Sequence, residues 1–329
     1  MIRKAVTLAI AVLFTARTSS AQFNVAKEDV SFMSGGLRLA GTLYLPKVSA
    51  KAPAVVLIHG SGRVDRTSME YFAKIFAESG VAALAYDKRG VGKSQGPEFA
   101  WRDYSFDDLA GDADAGVAFL ATHAAIEVER IGLFGASQGG WVAPIAAKHS
   151  PRVRFMILVS ASVSTVAVDN VFERSARLLR EGFTEAEVAE ARTMHLVDLD
   201  VSRNGTHFDE FTRLWNENKS KRWFPRVYGD AAPTPPDRPY RRWYRSVMDV
   251  EPVPILRELT VPALWLFGDA GLDALSPVQA SVRALETLRA SGKPYEIHTF
   301  PGADHSLQKK GTDAVFKPVL LDWLKRNVR

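Results

Sequence analysis

The chain contains no cysteine among its 329 residues. That excludes disulfide bridges, thiol catalysis and cysteine metal sites at once. It also excludes a lipoprotein-type cleavage after the N-terminal apolar segment. Long apolar runs are equally scarce. The longest at the N-terminus, Ala5 to Ala16, is twelve residues with two threonines, and a bilayer span needs about 20. Lys+Arg exceed Asp+Glu by only five charges, and no dense basic stripe accompanies the excess. The balance carries no nucleic-acid signature. Internal repeats and low-complexity tracts are missing. The seven histidines show no metal-ligand spacing such as H-E-x-x-H. His123, His149, His195, His207 and His298 are scattered, and each reads as structural or exposed.

What is present is an ordinary globular composition, 47% hydrophobic and 24% charged. The N-terminus has the layout of a secretory leader. Arg3 and Lys4 supply positive charge, the short apolar run follows, and Ser19-Ser20-Ala21 places small residues before a cut at Gln22. The expectation is an exported protein, periplasmic or secreted, with residues 1–21 as signal peptide and no stable membrane anchor.

Along the rest of the chain, strand and helix signals alternate. Residues 28–45 read as two strands joined at Ser34-Gly35-Gly36. The β-branched run Ala54 to Ile58 suits a strand buried on both faces. A helix over 67–80, a strand over 81–86, a helix over 103–122 and a strand over 128–134 follow. A helix then starts near Gln138, with Pro144 inside it, and a strand spans 153–160. This order predicts a parallel α/β sheet with right-handed crossovers. Residues 164–220 show no strand, only helical stretches broken at Gly182 and at Asn204-Gly205. Strand character returns at 261–267 and 295–300, with helices over 277–291 and 312–327. The expected organisation is therefore a core of 22–160 and 259–329 interrupted by a helical insertion, 161–258.

Within the insertion, residues 213–245 carry nine basic and three acidic residues, interleaved with Trp215, Trp223, Trp243, Tyr228, Tyr240 and Tyr244. Arginine mixed with aromatics can stack nucleic-acid bases, or can form a mostly apolar cover over a substrate pocket. The position between two strands of one sheet favours the cover, with a solvated insert packed by its own aromatics as the plain alternative. The arginines raise the expectation of a preference for anionic substrates.

The chain is organised around Gly135-Ala136-Ser137-Gln138-Gly139, between the apolar run Ile131–Phe134 and the helix. A G-x-S-x-G string alone is a weak signal. On a strand–turn–helix it gains mechanical meaning. The serine takes a tight backbone conformation, the residues two before and two after must be small, and the hydroxyl stands clear of the sheet edge at a helix N-terminus. The loop Asp87-Lys88-Arg89-Gly90-Val91-Gly92-Lys93-Ser94 contains Gly-Lys-Ser, but a phosphate loop needs glycine where Asp87 stands. Ser137, an aspartate near 269–273 and His305 each follow a predicted strand end, the edge where parallel sheets bind ligands. A serine hydroxyl needs an imidazole to take its proton, and the imidazole needs a carboxylate on its other nitrogen.

These motifs resemble those of the α/β-hydrolase superfamily, more narrowly its bacterial esterase and serine-aminopeptidase-like branch with a helical lid. They are His59-Gly60-Ser61-Gly62 with Asp65-Arg66, Tyr86 to Ser94, Gly135 to Gly140, and Asp304-His305. The resemblance covers about 25–160 and 259–329. It implies a mostly parallel sheet with helices on both faces and an inserted lid. It also implies Ser137 as nucleophile, His305 as base, and the backbone N–H groups of Ser61 and Gln138 as the oxyanion hole. Relatives often show Gly-x-x-Asp with a proline four residues on. Pro277 points back to Asp273, whereas the count from Gly268 falls on Gly271. A two-residue insertion reconciles them, so Asp273 is the expected acid and Asp269 the alternative. His59 reads as a turn-packing residue. The implied activity is cofactor-free, metal-free hydrolysis of a small carboxylic ester. An aminopeptidase or amidase with the same triad and a non-catalytic binding protein of the same fold stay open. Haloalkane and epoxide hydrolases are disfavoured because they would carry Asp at position 137.

Overall fold

A computed structural model of the chain describes residues 23–48, 50–97, 104–229, 232–308 and 315–328. The expected leader, 1–21, lies outside the described residues. Strands β1 (Val25–Ser34), β2 (Leu37–Pro46), β3 (Ala52–Ile58), β4 (Ala82–Tyr86), β5 (Ile126–Ala136), β6 (Val153–Val159), β7 (Ala263–Phe267) and β8 (Tyr295–Thr299) form one sheet. Their spatial order is β1-β2-β4-β3-β5-β6-β7-β8. The β1–β2 and β2–β4 pairs are antiparallel and the other five are parallel.

The helices are α1 (Glu70–Glu78), α2 (Phe106–Thr122), α3 (Gly139–His149), α4 (Val166–Arg180), α5 (Glu185–Asn204), α6 (Phe208–Asn218), α7 (Phe224–Tyr228), α8 (Pro239–Val247), α9 (Pro252–Glu258), α10 (Val278–Ala290) and α11 (Lys317–Asn327). Local chemistry sets several of their ends. Ser105 and Asp108 form a reciprocal capping box at the start of α2, and Thr184 and Glu187 do the same for α5. α5 stops at Gly205, which turns left-handed with φ of 72°. The helix expected over 67–80 begins as a 3₁₀ turn, Arg66–Met69, because the Asp65 side chain accepts from the Thr67 N–H and tightens the entry. The last helix starts at Lys317, later than expected, with Pro318 in its first turn.

The continuous apolar runs are explained by two cores. In β3, Ala54, Val56 and Ile58 join the core formed with α2, α3, α9 and α10, while Val55 and Leu57 join the one formed with α1 and α11. β7 alternates in the same way, with Trp265 and Phe267 on one side and Leu264 and Leu266 on the other. A strand buried on both faces has no position left for a polar side chain. Residues of α4 to α7 make a third, smaller core of their own, including Leu178, Phe183, Phe211, Trp215, Trp223 and Phe224.

β3, β4, β5, β6 and β7 all run the same way in the sheet, so the segments after Ile58, Tyr86, Ala136, Val159 and Phe267 emerge at one edge. The segment after β4 is tied down on both sides. Asp87 accepts from the Arg66 guanidinium at 2.9 and 3.0 Å. Arg89 reaches α2, where Asp112 accepts from its Nε at 2.7 Å and its Nη2 at 2.6 Å, and its guanidinium lies 4.3 Å from the Tyr104 ring centre. Both Arg89 and Asp112 are buried. Asp112→Ala strands a buried guanidinium, so an expected cost of about 3–5 kcal/mol in urea unfolding follows. A cost below about 1 kcal/mol would show that water or Asp108 replaces the lost carboxylate.

Candidate active site

Ser137 sits between β5 and α3 with φ of 50°. A left-handed conformation at a non-glycine residue costs of order 1–3 kcal/mol and persists only where the surroundings impose it. Here they do. The Ser137 N–H donates to the Val159 carbonyl at 2.9 Å, and its carbonyl accepts from Gly140 at 2.8 Å. A Cβ on Gly135 would lie 2.4 Å from the Gly139 carbonyl oxygen, and one on Gly139 would lie 2.7 Å from that of Ile58. The turn therefore closes only with glycine two residues to either side of the serine.

His305 is held at one end of its ring and along its backbone. Its Nδ1 lies 2.9 and 3.0 Å from the two Asp273 carboxylate oxygens. Asp273 is 1% exposed, and its Oδ1 also accepts from the N–H groups of Leu275 at 2.9 Å and Ser276 at 3.0 Å. The His305 Nε2 is buried with no hydrogen-bond partner among the described residues. The His305 carbonyl accepts from the Ser160 hydroxyl at 2.6 Å. Successive residues at the end of β6, Val159 and Ser160, thus anchor Ser137 and His305 respectively. Three of the four described non-glycine residues with positive φ, Ser137, Ser160 and Leu307, lie in these segments.

Asp269 is placed differently. Its Oδ1 accepts from the Gly271 N–H at 2.8 Å and its Oδ2 from the Gly302 N–H at 2.9 Å. These two backbone bonds hold its carboxyl below the usual range. It braces the 268–273 loop against the segment before His305 and makes no contact with the imidazole among its described hydrogen bonds.

Ser61, Ser137 and Gln138 line one cavity of about 350 Å³. The N–H groups of Ser61 and Gln138 are not spent on turn or cap hydrogen bonds among the described residues. His59, behind them, is buried, and its Nε2 bonds the Tyr86 carbonyl. Burial, then the Lys88 charge, lowers its pKa to about 4. A carbonyl only accepts, so the Nε2 carries the proton and the ring is neutral. That is a packing role.

The cavity's far wall comes from the inserted helices. α4 contributes Val166, Asp169, Asn170 and Glu173, and α8 contributes Tyr240, Trp243, Tyr244 and Val247. The aromatic run of the insertion is thereby divided. Trp215, Trp223 and Phe224 fill the insertion's own core, and only the α8 group faces the cavity. No arginine or lysine is among its described lining residues. Arg241 is buried on Asp198 at 2.7 Å, Arg245 donates to the Ser202 carbonyl at 2.7 Å, and Arg222 pairs with Glu187 at 3.0 Å. The anionic preference expected from the arginines of 213–245 finds no support in this lining, and Arg222, Arg241 and Arg245 are committed to holding the helices together. The cavity instead holds two carboxyl groups. Asp169 accepts from the Ser162 hydroxyl at 2.7 Å. Burial pushes its pKa up to about 8, with the Asp273 charge adding to that and the Ser162 bond opposing it.

The sequence profile described as serine aminopeptidase, S33, matches residues 49–310. The chain belongs to this hydrolase family. Among curated relatives, a thiohydrolase, aneE, of Aspergillus aculeatus is 36% identical over 174 residues. That match spans half of this chain and half of the relative. Among solved structures, the α/β hydrolase GrgF of a Penicillium species superimposes with a TM-score of 0.61 at 20% identity, covering 92% of this chain and 99% of that one. A Pyrococcus furiosus esterase gives 0.59 at 17% identity, covering 93% and 92%. The α/β-hydrolase fold expected from the motifs is the fold of the chain.

Several residues of this site escaped the reading of the sequence. Ser160 follows a strand and looks like any turn serine. Asp169 lies in the first turn of α4, where an acidic residue already has a sufficient reason in the helix dipole. Lys88 sits in a glycine-shaped loop with no partner nearby in sequence. Only the carboxyl-edge position of Ser160 and Lys88 carried a usable signal.

Proposed function

We propose that the chain is a serine hydrolase of small carboxylic esters, with Ser137 as nucleophile, His305 as base and Asp273 as acid. The observation that carries this is the two-sided state of His305. One ring nitrogen lies on a buried carboxylate, the other is buried and unpartnered among the described residues, and Ser137 and His305 are anchored by the successive residues Val159 and Ser160. In the reaction, the Ser137 hydroxyl attacks the acyl carbonyl and its proton passes to the His305 Nε2. Asp273 stabilises the imidazolium that forms. The oxyanion falls to the N–H groups of Ser61 and Gln138, each worth about 10²–10³ in rate. The alcohol leaves with the proton from His305. Water, deprotonated by the same imidazole, then attacks the acyl-enzyme and releases the acid. The chemistry uses no cofactor or metal. The inserted helices act as a lid whose α8 aromatics select the substrate. The N-terminal segment directs export to the periplasm or beyond, and neither nucleic acid nor a membrane anchor has a part.

A specific observation also supports the aminopeptidase or amidase reading. Asp169 and Glu173 face the cavity with no cationic neighbour in its described lining, as a site for a substrate ammonium group would. An ammonium group beside Asp169 would favour its ionised form. The test of both readings is a panel of nitrophenyl acyl esters, a thioester and aminoacyl nitroanilides, run on wild type and Asp169→Asn. Neutral esters turned over equally by both proteins support the ester reading. A tenfold or larger rise in KM confined to amine-bearing substrates shifts weight to the second. Folded wild type inert on all three classes would leave a binding role.

A further inference from the structure

Lys88 lies behind the oxyanion segments and is 4% exposed. Its Nζ donates to the Gly60 carbonyl at 2.8 Å, the Gln138 Oε1 at 2.9 Å and the Gly62 carbonyl at 3.3 Å. An ammonium group has three donors, so all are used. No carboxylate pairs with it among the described residues. Asp87 next to it is taken by Arg66, and the following Arg89 is taken by Asp112. A buried cation held only by neutral oxygens is costly, and packing alone gives no reason for it.

The three acceptors give the reason. They lie on the two segments that carry the proposed oxyanion donors, Ser61 and Gln138. The Gly60 carbonyl belongs to the same peptide group as the Ser61 N–H. That peptide is trans, so the two point in opposite directions. Fixing the carbonyl on Lys88 turns the N–H away from it. A cation on the carbonyl oxygen also draws electron density from the amide and strengthens the N–H as a donor. The bond to the Gln138 side chain ties the second donor's residue to the same point.

We infer that Lys88 is a positioning residue that aligns and polarises the oxyanion hole by bridging the Gly60–Gly62 segment to Gln138. The inference rests on the serine-hydrolase reading above. Its effect belongs to the transition state, because an ester carbonyl carries little charge and the tetrahedral oxyanion carries a full one. It also has a pH signature. Burial lowers the Lys88 pKa to about 8, so the cation is present below that pH and is lost as pH rises through it. Asp169, across the cavity, titrates in the same range, its pKa pushed up to about 8 by burial, so the pH profiles with Lys88 and with Lys88→Met are both taken in an Asp169→Asn background. His59 is already neutral with its pKa at about 4, and Asp87 is held ionised on Arg66.

The test compares wild type, Lys88→Met and Ser137→Ala on a nitrophenyl ester, with affinity for a trifluoromethyl ketone as the probe of oxyanion binding. Lys88→Met is expected to lower kcat by about 10², with KM within about threefold of wild type. It should weaken the ketone by a similar factor. In the Asp169→Asn background, the fall in kcat above pH 8 should be missing from the Lys88→Met variant, and the acid limb unchanged. A kcat within threefold of wild type, unchanged ketone affinity, or an alkaline limb that persists in the variant overturns the inference. If Lys88→Met does not fold, the ketone affinity of Asp169→Asn decides, supporting it by falling above pH 8 and overturning it by staying level. Failure of the underlying reading is separable. An active Ser137→Ala removes both, whereas an inactive Ser137→Ala with an unaffected Lys88→Met removes only the role of Lys88.

Discussion

Ser137→Ala is expected to lower kcat on nitrophenyl acetate by about 10⁶ and to leave KM and the thermal midpoint nearly unchanged. The size follows from what is removed. Ser137, His305 and Asp273 would act as one unit, and loss of the nucleophile makes the base and its carboxylate idle. A residual rate about 10³–10⁴ above water should persist, because the Ser61 and Gln138 N–H groups and the cavity walls remain. Stability should hold because the left-handed turn at position 137 is imposed by the Val159 and Gly140 hydrogen bonds and the flanking glycines. Alanine meets the same backbone constraint as serine. A loss below tenfold would mean that another group attacks the substrate.

Asp273→Asn is expected to cost about 10⁴ in kcat, and Asp269→Asn less than tenfold. An amide at 273 can still accept from Leu275 and Ser276, so the loop should keep its shape. It cannot stabilise a positive imidazole, and its NH₂ group would favour the wrong tautomer of His305. Asp269 stands outside that chain of contacts. It accepts from two backbone N–H groups, and an asparagine keeps at least one of those bonds. Its replacement should show as a small loss of thermal stability and a small rise in KM. Thermal unfolding and ester turnover on the two variants separate these effects. A collapse of turnover in Asp269→Asn alone would move the acid to that position.

Most of the core was legible because its signals are local. A run such as Ala54–Ile58 reads as a doubly buried strand without knowledge of its neighbours, and 103–122 reads as a helix from its own pattern. The turn at Ser137 was legible for a related reason. Its geometry demands glycine at 135 and 139, and the sequence obeys that demand. The choice between Asp273 and Asp269 was harder, because both lie in one loop four residues apart. Which carboxylate meets His305 depends on how Leu272 to Ser276 wrap, through bonds from Leu275 and Ser276 that no spacing rule encodes.

The helices between β6 and β7 were legible as helices, and their use was not. Their breaks at Gly182 and Gly205 follow from pattern. Their arginines carried a suggestion without support in the cavity lining, because composition does not tell whether a guanidinium faces a cavity or a carboxylate of its own helix bundle. Lys88 is the extreme case. Its three acceptors lie 26 to 50 positions away in the chain, and it acquires a role only when two loops meet at the sheet edge.

The most direct measurement is intact-protein mass spectrometry of wild type quenched in acid during turnover of a nitrophenyl ester, followed by mapping of the modified peptide. A serine mechanism predicts one added acyl mass on the peptide containing Ser137, absent from Ser137→Ala and decaying when substrate is exhausted. Rapid turnover with no acyl adduct, or an adduct on any other residue that persists in Ser137→Ala, would contradict it.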